Sequence, residues 1–100
     1  MKILLSCCAG MSTSMLVEKM RQVAKAHGQD HTIWACSIDE VPNNLSKCDV
    51  ILLGPQVRLE FENVVQIAKG KPVALIEPSD YGRLDGERVI ATAEKLVSKQ

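Results

Sequence analysis

The sequence has no excess of charge of either sign, and this absence limits the kinds of partner it can bind. Lys and Arg together number 12 in 100 residues, Asp and Glu also number 12, and the formal net charge is zero. Broad nucleic-acid binding needs a basic surface that displaces counterions from phosphates, and electrostatic binding to acidic membranes needs one as well. We therefore expect partners that are recognised by shape at a local site, and no nucleic acid among them.

A long hydrophobic run is also missing. The apolar stretch Met1–Leu5 is too short for a signal peptide or a membrane helix. We therefore expect the reducing cytoplasm, where disulfides are rare. The four cysteines, Cys7, Cys8, Cys36 and Cys48, then serve as core residues or take part in chemistry.

Common metal and nucleotide motifs are absent. No Cys-x-x-Cys pair occurs, and His27 and His31 pair with no cysteine at zinc-finger spacing. We therefore expect no metal site and no thioredoxin-type chemistry. A Gly-x-Gly-x-x-Gly motif is absent, and the first loop lacks the Gly-Lys of a Walker motif, which argues against a bound dinucleotide or nucleotide. No cofactor is predicted.

The sequence does contain a regular alternation of apolar runs and helical patterns. Runs rich in Val, Ile and Leu that alternate with helices indicate a parallel sheet covered on both faces. Strands are predicted over Lys2–Ser6, His31–Ser37, Asp49–Leu53 and Pro72–Ile76, and helices over Ser12–Ala26, Val57–Lys69 and from Leu84 or Asp85 to Lys99. Ile38–Leu45 is predicted as a short connector of one or two helical turns that Pro42 interrupts. With right-handed crossovers, we expect a single α/β domain over 1–100, a three-layer sandwich with four parallel strands in the order 2-1-3-4.

The loop after the first strand, Cys7–Ser14 (CCAGMSTS), has the composition of an anion site. It lies at the predicted switch point between strands one and three, where such sheets bind ligands. The first amides of the following helix have no partner inside the helix, and with the helix dipole they attract an anion. No acidic residue is expected in the first helical turn, and three hydroxyls add donors. A cysteine thiolate would be stabilised there as a nucleophile, so the pattern favours phosphoryl transfer through a phosphocysteine.

Other functions fit part of this pattern. A cysteine phosphatase has a loop of cysteine, five residues and arginine, but the sixth residue after Cys7 is Thr13. The sixth after Cys8 is Ser14, so the arginine that clamps phosphate is missing. Asp80 matches a phosphatase general acid in following the last strand, although its place before Tyr-Gly is typical of a turn or cap. A non-catalytic anion-binding module, or thiols buried as core residues beside a capped helix, is a further alternative.

Three motifs resemble those of one protein family. Cys7-x-Ala9-Gly10-Met11-Ser12-Thr13-Ser14 follows strand one, Leu53-Gly54-Pro55-Gln56-Val57 follows strand three, and Tyr81-Gly82-x-x-Asp85-Gly86 precedes the last helix. The three motifs, their order and the length of the chain resemble those of the enzyme IIB component of the bacterial phosphoenolpyruvate-dependent sugar phosphotransferase system. The resemblance is to the lactose/cellobiose (chitobiose) class of that component. The resemblance covers the whole chain.

The resemblance implies a function and partners. In that family a loop cysteine takes a phosphoryl group from a phosphohistidine of the IIA protein and passes it to a sugar bound in the membrane component IIC, which makes the protein a phosphotransferase. Cys7 matches the family nucleophile and Cys8 the variable position beside it, a choice between neighbours that chemistry alone leaves open. The implied location is the cytoplasm, at the inner face of the membrane through IIC. We expect a monomer when the protein is alone.

Phosphate contacts are expected from the loop residues Cys8, Ala9, Gly10, Met11, Ser12, Thr13 and Ser14. Gly54 and Pro55 either shape a turn or contact phosphate, and Gln56 either caps a helix or approaches the site. Tyr81 is expected in a loop after strand four, where its hydroxyl either reaches the site or serves in packing. Met15 is predicted in the core from its helical spacing, with a docking surface as the alternative.

Overall fold

A computed structural model gives the structure of residues 1–7 and 11–99, with the backbone alone for Met11. The loop residues Cys8, Ala9 and Gly10, together with Gln100, lie outside the described residues. The phosphate contacts predicted for these loop residues, and for the Met11 side chain, therefore stay predictions.

The described strands form one parallel sheet in the order β2-β1-β3-β4, which confirms the predicted architecture. The strands are β1 (Lys2–Cys7), β2 (Thr32–Ser37), β3 (Val50–Leu53) and β4 (Val73–Leu75). In the register, Ile3 of β1 lies opposite Ile33 of β2 and Val50 of β3. The strand order changes direction between β1 and β3, so their carboxyl ends flank the crevice where α/β sheets bind ligands.

Helices alternate with these strands over residues 11–99. They are α1 (Met11–Ala26), α2 (Val41–Asn44), α3 (Phe61–Ala68), α4 (Pro78–Gly82) and α5 (Gly86–Ser98). The segments Ile38–Glu40, Leu45–Lys47 and Pro55–Glu60 are 3₁₀ helices. No helix in the described part of the chain combines the length and the apolar character of a membrane-spanning segment.

The two central strands, β1 and β3, are buried except at Lys2, because helices cover both faces of the sheet, as strands rich in Val, Ile and Leu require. On one face α1 and α5 pack against Ile3 and Leu5. On the other face α2 and α3 pack against Leu4, Ile51 and Leu53. Each such side chain stabilises the fold by about 2 kcal/mol through the apolar surface that it removes from water.

The helix after β3 begins later than the sequence predicts. A helix is expected over Val57–Lys69, but the chain first forms the 3₁₀ segment Pro55–Glu60 and bends at Val57 (φ −116°, ψ 25°) before α3 begins. The bend accompanies burial of the Val57 side chain in the core. Lys69 lies outside α3 because its backbone is left-handed (φ 51°).

The connector after β2 is helical, and Pro42 does not interrupt it as the sequence predicts. Pro42 lies in the first turn of α2, where its missing amide hydrogen leaves no helical bond unmade. The neighbouring Val41 is fully buried and anchors this turn to the sheet.

The segment after β4 also differs from the expectation. Tyr81 is predicted in a loop, but it lies on α4, a helix of five residues. α5 begins at Gly86, after both of the predicted starts. Leu84 has a left-handed backbone (φ 53°), which a helix does not allow. Asp85 is the N-cap, and its carboxylate accepts a hydrogen bond from the backbone amide three residues on at 3.2 Å.

Candidate active site

The predicted nucleophile, Cys7, is the last residue of β1. β1 pairs with both β2 and β3, so Cys7 lies where the strand order changes direction. Its side chain is 3% exposed and belongs to a hydrophobic cluster with Leu4 and Val57. The thiol is therefore held at the end of a central strand, where the surrounding core fixes its position.

A series of hydrogen bonds links Cys7 to two helices. The Cys7 Sγ is hydrogen-bonded to the Thr13 hydroxyl in the first turn of α1. The Thr13 hydroxyl is also hydrogen-bonded to the Tyr81 hydroxyl on α4, at 2.8 Å. All three side chains are buried, where hydrogen bonds are electrostatically stronger than in water. The fold thus brings together three predicted site residues, although Thr13 and Tyr81 are 68 positions apart in the sequence.

The start of α1 supplies the positive end of a helix dipole beside Cys7. Its first turn contains no acidic residue, so the partial positive charge of the free amides is not neutralised locally. Ser12 and Ser14 are exposed on either side of the buried Thr13. Thr13 therefore contacts the thiol, whereas the two serine hydroxyls are accessible from solvent.

Gly54 brings the loop after β3 against Cys7. The Gly54 amide donates a hydrogen bond to the Ser6 carbonyl oxygen at 2.8 Å. A Cβ on Gly54 would lie 3.1 Å from the Cys7 Cβ, 3.4 Å from the Tyr81 ring and 2.9 Å from the Gln56 Oε1. Gly54 and the Gln56 side chain therefore line the site, and a side chain at position 54 would press on Cys7.

Two other predicted positions lie outside this arrangement. Pro55 opens the 3₁₀ helix and lines a separate cleft with Arg58 and Leu75. The prediction that Met15 is a core residue is wrong, because its side chain is 51% exposed. Met15 instead lines a groove with Leu84 that runs along α1. Helical spacing alone does not reveal that no element among residues 1–7 and 11–99 buries the Met15 side chain.

Sequence reasoning missed an ion pair beside the site. The sequence predicts a turn or cap at Asp80, but the residue lies within α4. Its buried carboxylate accepts a hydrogen bond from the Arg88 Nε at 3.0 Å. The carboxylate is therefore bonded to α5. The two residues are separated by a turn and a helix cap, so no periodic spacing signals the pair.

Cys36 and Cys48 are free thiols in the same hydrophobic cluster as Cys7 or packed against it. Burial raises the pKa of the Cys36 thiol. Burial also raises the pKa of the Cys48 thiol, although the nearby Lys71 ammonium partly opposes this. A raised pKa keeps a thiol protonated and weakly nucleophilic. Among residues 1–7 and 11–99, no group of three or more His, Cys, Asp or Glu side chains is placed to hold a metal ion.

These raised pKa values predict that the fold is less stable at alkaline pH. The pKa of each thiol has an ordinary value of 9.0 and is higher in the folded protein. Above that ordinary value the unfolded chain binds fewer protons than the folded protein, so the free energy of unfolding falls as pH rises, by at most about 1.4 kcal/mol per pH unit for each thiol. Urea denaturation at neutral and alkaline pH measures the fall. In a variant with Cys36→Ala and Cys48→Ala the fall should be shallower, and an equally steep fall would contradict the assignment.

Comparison with known proteins identifies the family. The family described as PTS system, lactose/cellobiose-specific IIB subunit, matches residues 2–92. The galactose-specific EIIB component of Lactococcus lactis subsp. cremoris and the cellobiose-specific EIIB component of Lactococcus lactis subsp. lactis are each 43% identical over 103 residues, covering 96% of this chain and 95% of each relative. The solution structure of the cellobiose-specific phosphotransferase IIB component protein from Borrelia burgdorferi has a TM-score of 0.85 at 38% identity, covering 99% of this chain and 93% of that one. The chain therefore belongs to the lactose/cellobiose-specific IIB family of the phosphotransferase system, as its three motifs predict.

Proposed function

We propose that this protein is a phosphotransferase that carries a phosphoryl group on Cys7 between two partners. The observation that supports this most is the buried hydrogen bond between Cys7 and the Thr13 hydroxyl at the start of α1. The Thr13 hydroxyl is in turn hydrogen-bonded to the Tyr81 hydroxyl. A phosphoryl group on the thiol would meet hydroxyl donors and the positive end of a helix dipole. The family of the chain supports the same chemistry, since IIB components are sugar-specific subunits of a phosphotransferase system.

The proposed transfer consists of two displacements at phosphorus. In the first, the Cys7 thiolate, which has already released its proton, attacks a phosphohistidine of IIA. The S–P bond forms, the N–P bond breaks and the histidine nitrogen keeps the electron pair. In the second, a hydroxyl oxygen of the sugar in IIC attacks the phosphocysteine. The O–P bond forms, the S–P bond breaks to restore the thiolate, and the hydroxyl proton passes to a base outside this chain.

Within these steps the chain itself has little covalent chemistry to perform beyond the thiolate attack. Phosphoryl transfer depends mainly on alignment and on stabilising the charge on the phosphoryl oxygens. In our proposal the Thr13 hydroxyl donates to a phosphoryl oxygen, and Tyr81 fixes the orientation of that hydroxyl. We propose that the loop amides from Cys8 to Ser14 complete the cradle, and that Gly54 leaves room for it, because a side chain at that position would press on Cys7.

The absence of a phosphate clamp favours a relay over a phosphatase. The sequence contains no arginine from Cys7 to Ser14. A phosphatase also needs a proton donor for its leaving group, but the carboxylate of the candidate, Asp80, is bonded to Arg88. Without an arginine clamp and a free carboxyl group, a phosphocysteine is poorly activated for hydrolysis by water. It then persists long enough for the phosphoryl group to be transferred to a second protein.

The proposed partners are IIA as the phosphoryl donor and the membrane component IIC, with its bound sugar, as the acceptor. The protein would act in the cytoplasm at the inner face of the membrane through IIC, and as a monomer when alone. The two Lactococcus relatives match equally well but carry names with different sugars, galactose and cellobiose. We therefore propose a sugar of the lactose, cellobiose or chitobiose type without choosing one of them.

Intact mass spectrometry tests the proposal. Reduced, folded protein is incubated with phosphoenolpyruvate, the general phosphotransfer proteins and a IIA of this class. We expect one added phosphoryl group, which peptide mapping assigns to Cys7, and no useful hydrolysis of para-nitrophenyl phosphate. Hydrolysis of that ester would instead indicate a phosphatase. Phosphate binding without an adduct, unchanged by Cys7→Ser, would indicate a passive anion-binding module.

Tyr81→Phe should slow phosphoryl transfer while the fold is retained. The variant keeps the packed ring but loses the hydrogen bond to Thr13. A hydrogen bond of this kind contributes about 1 kcal/mol, so we expect a transfer rate about fivefold lower. Single-turnover phosphorylation by phosphorylated IIA, quenched at intervals, measures the rate. Thr13→Ser, which keeps the hydroxyl, is the matched control and should be less affected. An unchanged rate for Tyr81→Phe would show that the Tyr81 hydroxyl has no role in phosphoryl transfer.

A further inference from the structure

α4 carries Tyr81 into the site, but the helix is too short to hold its own orientation. It contains five residues, and an isolated helix of that length is not stable in water. The direction of α4, and with it the position of the Tyr81 hydroxyl, must therefore depend on contacts with the rest of the fold.

Two bonds at Asp80 join α4 to the start of α5. The Asp80 carboxylate accepts a hydrogen bond from the Arg88 Nε at 3.0 Å, and the Asp80 carbonyl oxygen accepts one from the Asp85 amide at 2.9 Å. Arg88 is itself held at its backbone, because its amide donates to the Asp85 carboxylate at 3.2 Å. The N-cap of α5 therefore fixes the backbone of Arg88, and Arg88 in turn bonds to α4.

The two side chains of the ion pair differ in their exposure to solvent. The Asp80 side chain is 6% exposed, whereas that of Arg88 is 67% exposed. Burial of a carboxylate costs free energy, and a well-packed apolar residue in its place is often no less stable. A gain in stability is therefore a poor explanation for a carboxylate at this position. A directional bond that fixes how α4 is oriented is a better one.

We propose that Asp80 and Arg88 are positioning residues for phosphoryl transfer at Cys7. Asp80 and Tyr81 are neighbours on α4. The Asp80 carboxylate is bonded to Arg88 of α5, and the Tyr81 hydroxyl is hydrogen-bonded to Thr13 of α1. With both contacts made, α4 is held at two points and the Tyr81 hydroxyl stays on Thr13. Without the ion pair the hydroxyl leaves this position part of the time, and small displacements near a reacting centre slow the reaction. The inference rests on the function proposed above.

A double-mutant cycle tests this coupling. The rate of phosphoryl transfer from phosphorylated IIA to Cys7 is measured for the wild type, Arg88→Ala, Tyr81→Phe and the double variant. We expect Arg88→Ala to lower the rate about threefold. In the Tyr81→Phe background it should have almost no further effect, because residues that act through one another are not additive. A role of Arg88 in stability alone does not produce this dependence on Tyr81.

Matched variants separate positioning from charge and from folding. Lys95→Ala removes the same charge from an exposed position of α5 and should leave the rate unchanged. Arg88→Lys keeps a cation that can reach Asp80 and should restore part of the rate. Asp80→Asn breaks the ion pair without leaving an unpaired buried charge, so it should fold and lower the rate in the same direction as Arg88→Ala.

The outcomes distinguish the two proposals. If the wild type accepts no phosphoryl group from IIA, the proposed function and the positioning role are both overturned. If the wild type is phosphorylated on Cys7 but Arg88→Ala and Asp80→Asn transfer at the wild-type rate, only the positioning role is overturned. The same holds if Arg88→Ala lowers the rate by an equal factor with and without the Tyr81 hydroxyl.

Discussion

Cys7→Ser is expected to abolish phosphoryl acceptance from IIA. Serine replaces the sulfur, which is intrinsically a strong nucleophile, by a hydroxyl oxygen that is a weak nucleophile without an adjacent base. Among the described residues, the Thr13 hydroxyl that is bonded to Cys7 and the Tyr81 hydroxyl bonded to Thr13 are not bases that would activate it. We expect a loss of at least about a thousandfold in the rate of transfer. Intact mass and peptide mapping after incubation with phosphorylated IIA measure it.

The fold of this variant should be unchanged. Serine is close to cysteine in size, and its hydroxyl retains a hydrogen-bonding partner in Thr13. Thermal unfolding by circular dichroism and phosphate binding by the folded variant are the two checks. Loss of acceptance together with retained folding assigns the defect to the missing sulfur.

Cys8→Ser is the matched control, because it makes the same substitution at the neighbouring position. It should accept a phosphoryl group at close to the wild-type rate. Full acceptance by Cys7→Ser, with the group mapped to Cys8, would show that the nucleophile is wrongly assigned. Partial acceptance would show that adjacent thiols can replace each other when the loop rearranges.

The fold was predictable because the strands carry a strong signal. Val50–Leu53 is an uninterrupted apolar run that ends at a glycine and a proline, and all four of its residues are buried. Such runs, alternating with helical patterns, leave few arrangements other than a parallel sheet with covered faces. Short elements carry no such signal. α4 has too few residues to show a helical period, and for this reason the sequence predicts a loop at Tyr81.

The grouping of residues in the candidate site was predictable to the extent that it follows from topology. Cys7 ends β1, and Thr13, Gly54 and Tyr81 come after β1, β3 and β4 in turn, so all four lie near the same edge of the sheet. The structure brings these four residues together. Contacts that depend on a specific three-dimensional approach were not predictable. The bond between Asp80 and α5 is one example. The exposure of Met15 is another, because the sequence does not show which helix faces remain uncovered.

Gly86→Ala is expected to destabilise the fold strongly, because the backbone of α5 lies directly against the backbone of α1 at Gly86. A Cβ at this position would lie 2.8 Å from the Met20 amide nitrogen and 2.9 Å from the Lys19 carbonyl carbon. These are backbone atoms of α1, so no side chain can rotate away to make room. The two helices would have to separate, and tightly packed interiors resist such shifts.

The expected cost is about 3 kcal/mol of unfolding free energy, the upper part of the range for overpacking. For a chain of this size that corresponds to a fall in the unfolding temperature of roughly 12–24 °C. Thermal and urea unfolding, followed by circular dichroism, measure both quantities. The effect is opposite to the usual result of replacing a helical glycine with alanine, which stabilises by reducing the freedom of the unfolded chain.

Gly82→Ala provides the matched comparison, because Gly82 also lies in a helix of the same region. A Cβ there would meet no atom within 4 Å, so we expect a change of no more than about 1 kcal/mol, in the stabilising direction. Similar losses for both variants would mean that the cost arises from the backbone of the segment. A loss confined to Gly86→Ala would show that the approach of α5 to α1 requires glycine. Because α5 also holds α4 through Arg88, that loss should be accompanied by slower phosphoryl transfer in the fraction of Gly86→Ala that remains folded.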